Sequence, residues 1–161
     1  MTEPAEHAGS YQLAFDEGGR ALDAQERAVN ELRSRAGVLI AAAAITTSFF
    51  GSRAVTGGEL TAASWCAIVA FVLVAATVLA ALWPWRDWEF SANPGALIAT
   101  YIETPTPATL AEIHRDMALH RSASYDCNAK QLGTLYSTFG AGLILLAAEL
   151  TAWVVALTGQ G

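Results

Sequence analysis

The stretch SWCAIVAFVLVAATVLAALW, residues 64–83, decides the fold, because none of its side chains is charged. It lies inside a longer uncharged run of 26 residues, 60–85. An α-helix rises about 1.5 Å per residue, so about 20 residues cross the hydrocarbon core of a bilayer. An uncharged run of this length is uncommon in water-soluble domains. The sequence therefore predicts a transmembrane helix over about 63–84.

Two further stretches have the same character. Residues 36–52 lie between two arginines and carry no charge, and they form a short span whose flanking arginines must reach the interfaces. Residues 133–161 contain one charged side chain, Glu149. The predicted fold class is all-α: an integral membrane protein with three transmembrane helices. The alternatives are a soluble bundle of three core helices and, for 36–52, a re-entrant segment.

The composition agrees with a chain that lies largely in lipid. Hydrophobic residues make up 53% of the chain and charged residues 15%, whereas soluble domains carry about 25% charged residues. The net charge is −6 and no run of basic residues occurs, which argues against nucleic acid as a partner. We therefore expect the lipid bilayer to be the main partner.

The basic residues predict the orientation. Four of the nine Lys and Arg residues lie in 1–35 and four in 86–130, while Arg53 follows the first span. Basic residues concentrate in cytoplasmic loops. We therefore expect a multi-pass protein of the cell inner membrane, with the N-terminus cytoplasmic and the C-terminus outside.

These observations divide the chain into four segments. Residues 1–35 are a cytoplasmic tail and an amphipathic helix, and 36–85 are a transmembrane hairpin. Residues 86–132 are a cytoplasmic helical segment, and 133–161 are the third transmembrane helix. The end of the cytoplasmic segment forms a helical extension of this last span.

The amphipathic helix repeats an apolar residue at near-heptad spacing. That stripe needs a partner, either within the chain or in a second copy. Its members are Leu22, Val29, Leu32 and Ala36.

Local signals place helices in the cytoplasmic segment. Asn93 and Pro94 fit the N-cap and first position of a short helix. Thr106 and Pro107 repeat the signal, and nothing beyond them breaks the helical pattern strongly. We expect one helix over about 107–157, or two helices with a bend near Gly133 or Gly140.

Glu149 is the most informative single residue, because an ionisable side chain in a membrane span normally pairs, protonates or faces the protein interior. Arg53, at the outer end of the first span, is the predicted partner in an intramembrane polar pair. The alternative is a polar group that lines an assembled pore or binds a proton. Small residues four apart on the last span offer either packing within the monomer or an assembly surface. They are Gly133, Ser137 and Ala141, and Thr134, Thr138 and Gly142.

Motifs of enzymes are absent from the sequence, which holds no nucleophile elbow, phosphate-binding loop or zinc-protease signature. Glu112, Asp116 and His120 form a helical stripe that suits either a divalent cation or a solvated polar face. We predict that the protein is not an enzyme, with no catalytic residues, no cofactor and no metal site.

The order of these segments resembles the small prokaryotic membrane effectors of the Pycsar type and the related SLATT-type domains of nucleotide-signalling immunity. The resemblance covers most of residues 20–157. The stretches that carry it are ELRSRAGVLIAAAA (31–44), LWPWRDWEF (82–90), NPGALIATYI (93–102) and HRSASYDCNAKQL (120–132).

The resemblance implies a non-enzymatic effector that senses a cytoplasmic cyclic nucleotide and then oligomerises or rearranges to impair the membrane in antiviral defence. On this chain the nucleotide-binding cations would be Arg86, Arg115 and Arg121, which can hold a phosphate in bidentate fashion. Interfacial anchoring is the other role open to them. The alternative function is a structural or accessory subunit, a scaffold of a conjugation, secretion or transport machine.

Overall fold

A computed structural model describes residues 7–56, 60–83, 88–90 and 92–159. These residues are helical with no strand, and the chain is all-α as predicted. The elements are α1 (Ala8–Thr56), α2 (Ala62–Leu82), α3 (Pro94–Leu97), which continues as a π-helical turn (Ile98–Ile102), and α4 (Leu110–Thr158).

Helices α1, α2 and α4 are long and apolar enough to cross a membrane. Only 28% of the most apolar window of α2 is buried in the protein, and the corresponding windows of α1 and α4 are buried less. Large aliphatic side chains therefore face outward, for example Val69, Val72 and Leu79 on α2. Such faces match the acyl chains of a bilayer, and backbone groups in hydrocarbon must be paired within the helix. The chain is a multi-pass membrane protein.

The chain forms two compact units. The polar unit comprises Met1–Val29 and Arg86–Leu132, and the apolar unit comprises Asn30–Trp85 and Gly133–Gly161. The apolar unit thus begins between residues 29 and 30, before the predicted start of the first span. Because the bounds of α1 and α4 include residues of both units, each helix contributes one segment to each.

In the polar unit, α1 packs against α4 through the predicted apolar stripe. Leu22, Gln25 and Val29 are buried at spacings of three and four residues, the spacing of a coiled-coil seam. The side-chain amide of Gln25 donates to the backbone oxygen of Tyr125 at 3.1 Å. Leu22 and Val29, the members of the stripe that lie in this unit, therefore have an intramolecular partner.

Two buried polar residues of α4 fix the segment that follows α2. Asn128 donates from Nδ2 to the backbone oxygen of Glu89 at 3.0 Å, and its Oδ1 accepts from the Glu89 backbone N–H at 3.4 Å. Ser124 donates to the Glu89 carboxylate at 2.9 Å. Buried polar groups are tolerated when they are paired in this way. Further along, Asn93 caps α3 and Pro94 takes its first position, as predicted.

Helix α4 begins three residues later than the sequence suggested. The predicted cap, Thr106, lies before the helix, and α4 starts at Leu110. Thr109 is its cap: the Glu112 backbone N–H donates to the Thr109 hydroxyl at 3.3 Å, and the Glu112 carboxylate accepts from the Thr109 backbone N–H at 2.8 Å. This reciprocal capping box satisfies two helix-end donors, which explains why it prevails over the Thr-Pro signal. From there α4 runs to Thr158 as one unbroken helix.

In the apolar unit, small residues allow close packing of three helices. Buried positions on α4 recur every seven residues, at Leu135, Gly142, Glu149 and Ala156. Most residues on the buried face of α2 are small: Ser64, Ala67, Ala70 and Ala81, with Val74 and Val78. A Cβ at position 142 would lie 2.7 Å from Cδ2 of Leu39 and 3.0 Å from Oγ1 of Thr77. Gly142 therefore serves packing inside the unit.

The capping box makes the start of α4 sensitive to pH. Hydrogen bonds from the Thr109 backbone N–H and hydroxyl lower the pKa of Glu112. At pH values above the ordinary glutamate pKa of about 4.3, the ionised carboxylate therefore stabilises the first turn. This stabilisation is lost as the pH falls through the lowered pKa of the folded state. We expect amide exchange in this turn, corrected for intrinsic rates, to accelerate below about pH 4.

Glu112→Gln is the matched control, since glutamine also completes a capping box but does not titrate. Its exchange in the first turn should show no such acceleration. Thr109→Ala should exchange about fivefold faster at neutral pH. An equal response to acid in wild type and Glu112→Gln would contradict the assignment.

Two glycines of α4 provide a second comparison. Gly142→Ala should destabilise the apolar unit by about 1–3 kcal/mol, because the added methyl group overlaps Leu39. Gly140→Ala should be neutral or slightly stabilising, since a Cβ at position 140 meets nothing within 4 Å. Thermal unfolding in detergent, followed by circular dichroism, checks both. Equal melting temperatures for the two variants would refute the close packing at Gly142.

Candidate functional site

Of Arg115 and Arg121, the two predicted phosphate ligands among the described residues, Arg121 makes the contacts that fix it more firmly. It is half-buried in the polar unit, and its Nη1 donates to the backbone oxygen of Phe15 at 2.5 Å. Its guanidinium carbon lies 3.7 Å from the centre of the Phe15 ring. A cation over an aromatic face is stabilised by the ring quadrupole. The guanidinium is therefore oriented in advance of any ligand.

A glycine pair on α1 makes room for this arginine. A Cβ at Gly18 would lie 3.1 Å from Cβ of Arg121, and a Cβ at Gly19 would lie 2.8 Å from its Nη1. The pair lacks the strand context of a phosphate loop, and its role is visible only in the helix packing. The cue that sequence reasoning missed is that Gly18 lies four residues before the buried Leu22 and seven before the buried Gln25, on the same face of the helix.

Arg121 forms part of the wall of a pocket that we name the aromatic pocket. The pocket has a volume of about 450 Å³ and also contains Phe15, Phe90, His114 and Met117. The His114 ring stacks on Phe15, with centroids 5.3 Å apart and planes 21° apart. One acidic residue, Asp23, lies at its wall. Flat rings beside an oriented cation suit a planar anionic ligand.

Arg121 also lies in a second surface, an open groove of about 560 Å³ between α1 and α4 in the polar unit. We name it the small-residue groove. Its lining comprises Tyr11, Ala14, Glu17, Gly18 and Ala21 of α1 and Arg115, Ala118, Leu119, Arg121, Ser122 and Tyr125 of α4. Arg115 lines this groove and approaches Asp116 at 3.4 Å. The structure thus brings Arg115 and Arg121 to one groove, while Arg86 lies outside the described residues.

The intramembrane carboxyl has a different partner from the one predicted. Glu149 is fully buried, and its Oε1 accepts from the Thr47 hydroxyl at 2.7 Å. Trp153 donates its indole N–H to the same hydroxyl at 3.4 Å. Within the part of the chain that the structure describes, Oε2 of Glu149 has no hydrogen-bond partner. Thr47 therefore connects the two buried side chains of α4.

Arg53 is not brought to Glu149. It is exposed in the last turn of α1, six residues beyond Thr47, which is about 9 Å along the helix. The ion pairs among the described residues join other groups. The predicted pair is therefore replaced by a hydrogen bond from a neutral hydroxyl. Sequence reasoning missed Thr47 because a threonine in an apolar run carries no charge to mark it.

In the predicted stripe of Glu112, Asp116 and His120, the first two carboxylates make structural hydrogen bonds. Glu112 belongs to the capping box, and Asp116 accepts from the Tyr101 hydroxyl at 3.4 Å. Over the described ranges, no group of three or more potential metal ligands occurs.

The Thr47 hydroxyl gives a direct test of the intramembrane network. Thr47→Val should destabilise the protein by about 1–3 kcal/mol, because it removes the hydrogen bonds to buried Glu149 and Trp153 at nearly constant volume. Thr138→Val is the matched control, since that hydroxyl is exposed and bonds the carbonyl of Thr134 on its own helix. Melting temperatures in detergent provide the measurement.

Arg53→Ala separates the observed network from the predicted ion pair. Its effect on the melting temperature should be less than half that of Thr47→Val. If Arg53→Ala were the more damaging change, the carboxyl would be held by the arginine instead.

No protein-family model, curated protein or solved structure matches the chain.

Proposed function

We propose that this protein is a non-enzymatic membrane effector, in which the polar unit senses a cytoplasmic nucleotide and the chain then oligomerises or rearranges to impair the inner membrane in prokaryotic defence. The observation that carries the proposal is the position of Arg121. This one guanidinium belongs both to the aromatic pocket and to the small-residue groove. A ligand on one surface therefore acts on a side chain that shapes the other.

The aromatic pocket fits a cyclic mononucleotide in size and chemistry. Its volume of about 450 Å³ lies within the range of small-molecule sites, about 300–1,000 Å³. His114 offers a ring face for a base, and Phe15 would offer another once a ligand draws Arg121 off its ring; stacking of a base on an aromatic ring is worth about 1–3 kcal/mol. A guanidinium has five N–H donors, of which the bond to the Phe15 carbonyl uses one. The remaining donors suit a phosphate diester.

The signal would pass from the pocket to the groove through Arg121. A phosphate that attracts the guanidinium competes with the Phe15 carbonyl and with the Phe15 ring. Displacement of the side chain would also free the space above Gly18 and Gly19. The groove would then change shape, so that an assembly formed through it would rearrange. Eight of the nine Lys and Arg residues lie in 1–35 and 86–130, which supports a cytoplasmic polar unit, because such residues favour that side.

A specific observation also favours the scaffold function. The polar unit exposes large apolar side chains, with Leu13 at 61% and Leu119 at 58% of their full accessibility. Exposed apolar surface outside the apolar unit marks contact with protein. A subunit of a membrane machine would use it for a different partner protein and would bind no nucleotide.

Calorimetry of the purified protein in detergent distinguishes the two functions. We expect one cyclic mononucleotide to bind, and Arg121→Lys to weaken binding at least about tenfold, because lysine keeps the charge but lacks the planar fork. Arg115→Lys is the matched control, since Arg115 lies in the groove and not in the aromatic pocket; it should keep near wild-type affinity. A folded wild type that binds none of these nucleotides, with unchanged membrane potential in expressing cells, would favour the scaffold.

A further inference from the structure

We propose that the small-residue groove seats a second copy of this chain, related to the first by a twofold axis parallel to α1 and α4. This proposal names the surface and the partner for the assembly step of the proposed function. The docking itself is argued from the groove, and only the effect of assembly on the membrane rests on the proposed function. The two surfaces differ: the nucleotide is assigned to the aromatic pocket and the second copy to the groove.

The groove is an apolar surface in the unit that carries most of the charge. Its floor is formed by Ala14, Gly18 and Ala21 of α1 and Ala118 of α4. Beside the floor, Leu119 is 58% and Tyr125 41% exposed. Large apolar surface open to water is disfavoured and marks contact sites. A protein surface with helices of matching spacing would cover it.

Some residues on the two sides of the groove differ in size, and a twofold axis parallel to the helices brings small ones opposite bulky ones. In the polar unit Gly18 contacts Arg121 and Gln25 contacts Tyr125, so the residue numbers of contacting partners increase in the same direction along both helices. Helices α1 and α4 therefore run parallel. A twofold axis parallel to these two helices keeps every residue of the polar unit at the same level in both copies. Rotation about such an axis places the α1 wall of one copy against the α4 wall of the other. The small residues Ala14 and Ala21 then face the bulky Leu119 and Tyr125.

The charges of the groove are complementary under the same operation. The α1 wall carries Glu17 and the α4 wall carries Arg115. Glu17 of α1 lies at about the level of residue 120 of α4. Under the twofold rotation it is therefore offset from Arg115 of the other copy by about five residues, or about 7 Å, along the axis. An arginine side chain spans that distance. Two such pairs would form, because each copy supplies one acid and one base.

The present partners of these charges are easily exchanged. Glu17 pairs with Arg20 on its own helix, and both side chains are more than half exposed. Arg115 approaches its neighbour Asp116 at 3.4 Å, also at the surface. Exposed ion pairs contribute little to stability. Charge self-complementarity of the groove favours a second copy over an unrelated protein, and the shared orientation in the bilayer lowers the entropy that docking costs.

Charge reversal tests the docking directly. Copies labelled at the exposed Cys127, in a Cys66→Ala background, are mixed as donor and acceptor in liposomes without nucleotide, and energy transfer reports association. Glu17→Arg and Arg115→Glu should each lower the association constant at least about tenfold, because like charges then face each other. The double variant should restore it, since the pair is re-formed with its signs exchanged.

Steric substitution tests the groove independently of charge. Ala118→Trp fills the floor and should abolish energy transfer. Ala99→Trp is the matched control, because Ala99 is exposed in the polar unit and lines neither the groove nor the aromatic pocket; it should leave association unchanged. Circular dichroism melts confirm that each variant is folded.

The outcomes separate this inference from the proposed function. A monomeric wild type, equal energy transfer in all variants, or single reversals that the double variant does not rescue would each overturn the docking geometry. Calorimetry on Glu17→Arg is expected to show that nucleotide binding is retained, since Glu17 lies outside the aromatic pocket. Loss of dimers with retained nucleotide binding supports the inference, whereas dimers without nucleotide binding support the groove and contradict the sensing function.

Discussion

The structure depends on the packing of α1 against α4 along positions spaced by three and four residues. In the polar unit this packing buries Leu22, Gln25 and Val29, and in the apolar unit it buries Leu135, Glu149 and Ala156. The same spacing works in both surroundings for different reasons. Next to water, the buried aliphatic groups supply a hydrophobic driving force. In lipid that force is missing, so close contact through small residues and paired polar groups replaces it.

The membrane spans were predictable because they depend on the hydrophobicity and the lack of charge averaged over about 20 residues. An uncharged run such as 64–83 has few alternatives to a membrane helix, and Asn93 with Pro94 is a local signal that competes with nothing nearby. The start of α4 was not predictable in the same way, because two threonines compete and Glu112 decides between them only if its side chain turns back. The partner of Glu149 was missed because charge pointed to Arg53, while the contact depends on helix register.

The candidate site was partly predictable, for a related reason. The basic side chains of the chain are few, so Arg121 could be singled out by charge alone. The Arg121 side chain stacks on Phe15 and packs over Gly18, and both contacts join residues about 100 positions apart in the sequence. Neither contact leaves a local pattern, because phenylalanine and glycine are ordinary residues of a helix seam. A register relation between two helices is a property of their packing, and one sequence without relatives carries little trace of it.

Polar contacts on the packed faces restrict how α1 and α4 can respond to a ligand. In the polar unit, an axial slide of one helical turn would break the Gln25 amide from the Tyr125 carbonyl and Arg121 from Phe15. In the apolar unit, the same slide would separate Thr47 from buried Glu149. The slide would leave buried Gln25 and buried Glu149 unpaired, which costs about 1–3 kcal/mol for each group. A response that moves the Arg121 side chain breaks fewer of these bonds, so rearrangement at the surface is favoured over sliding of the helices.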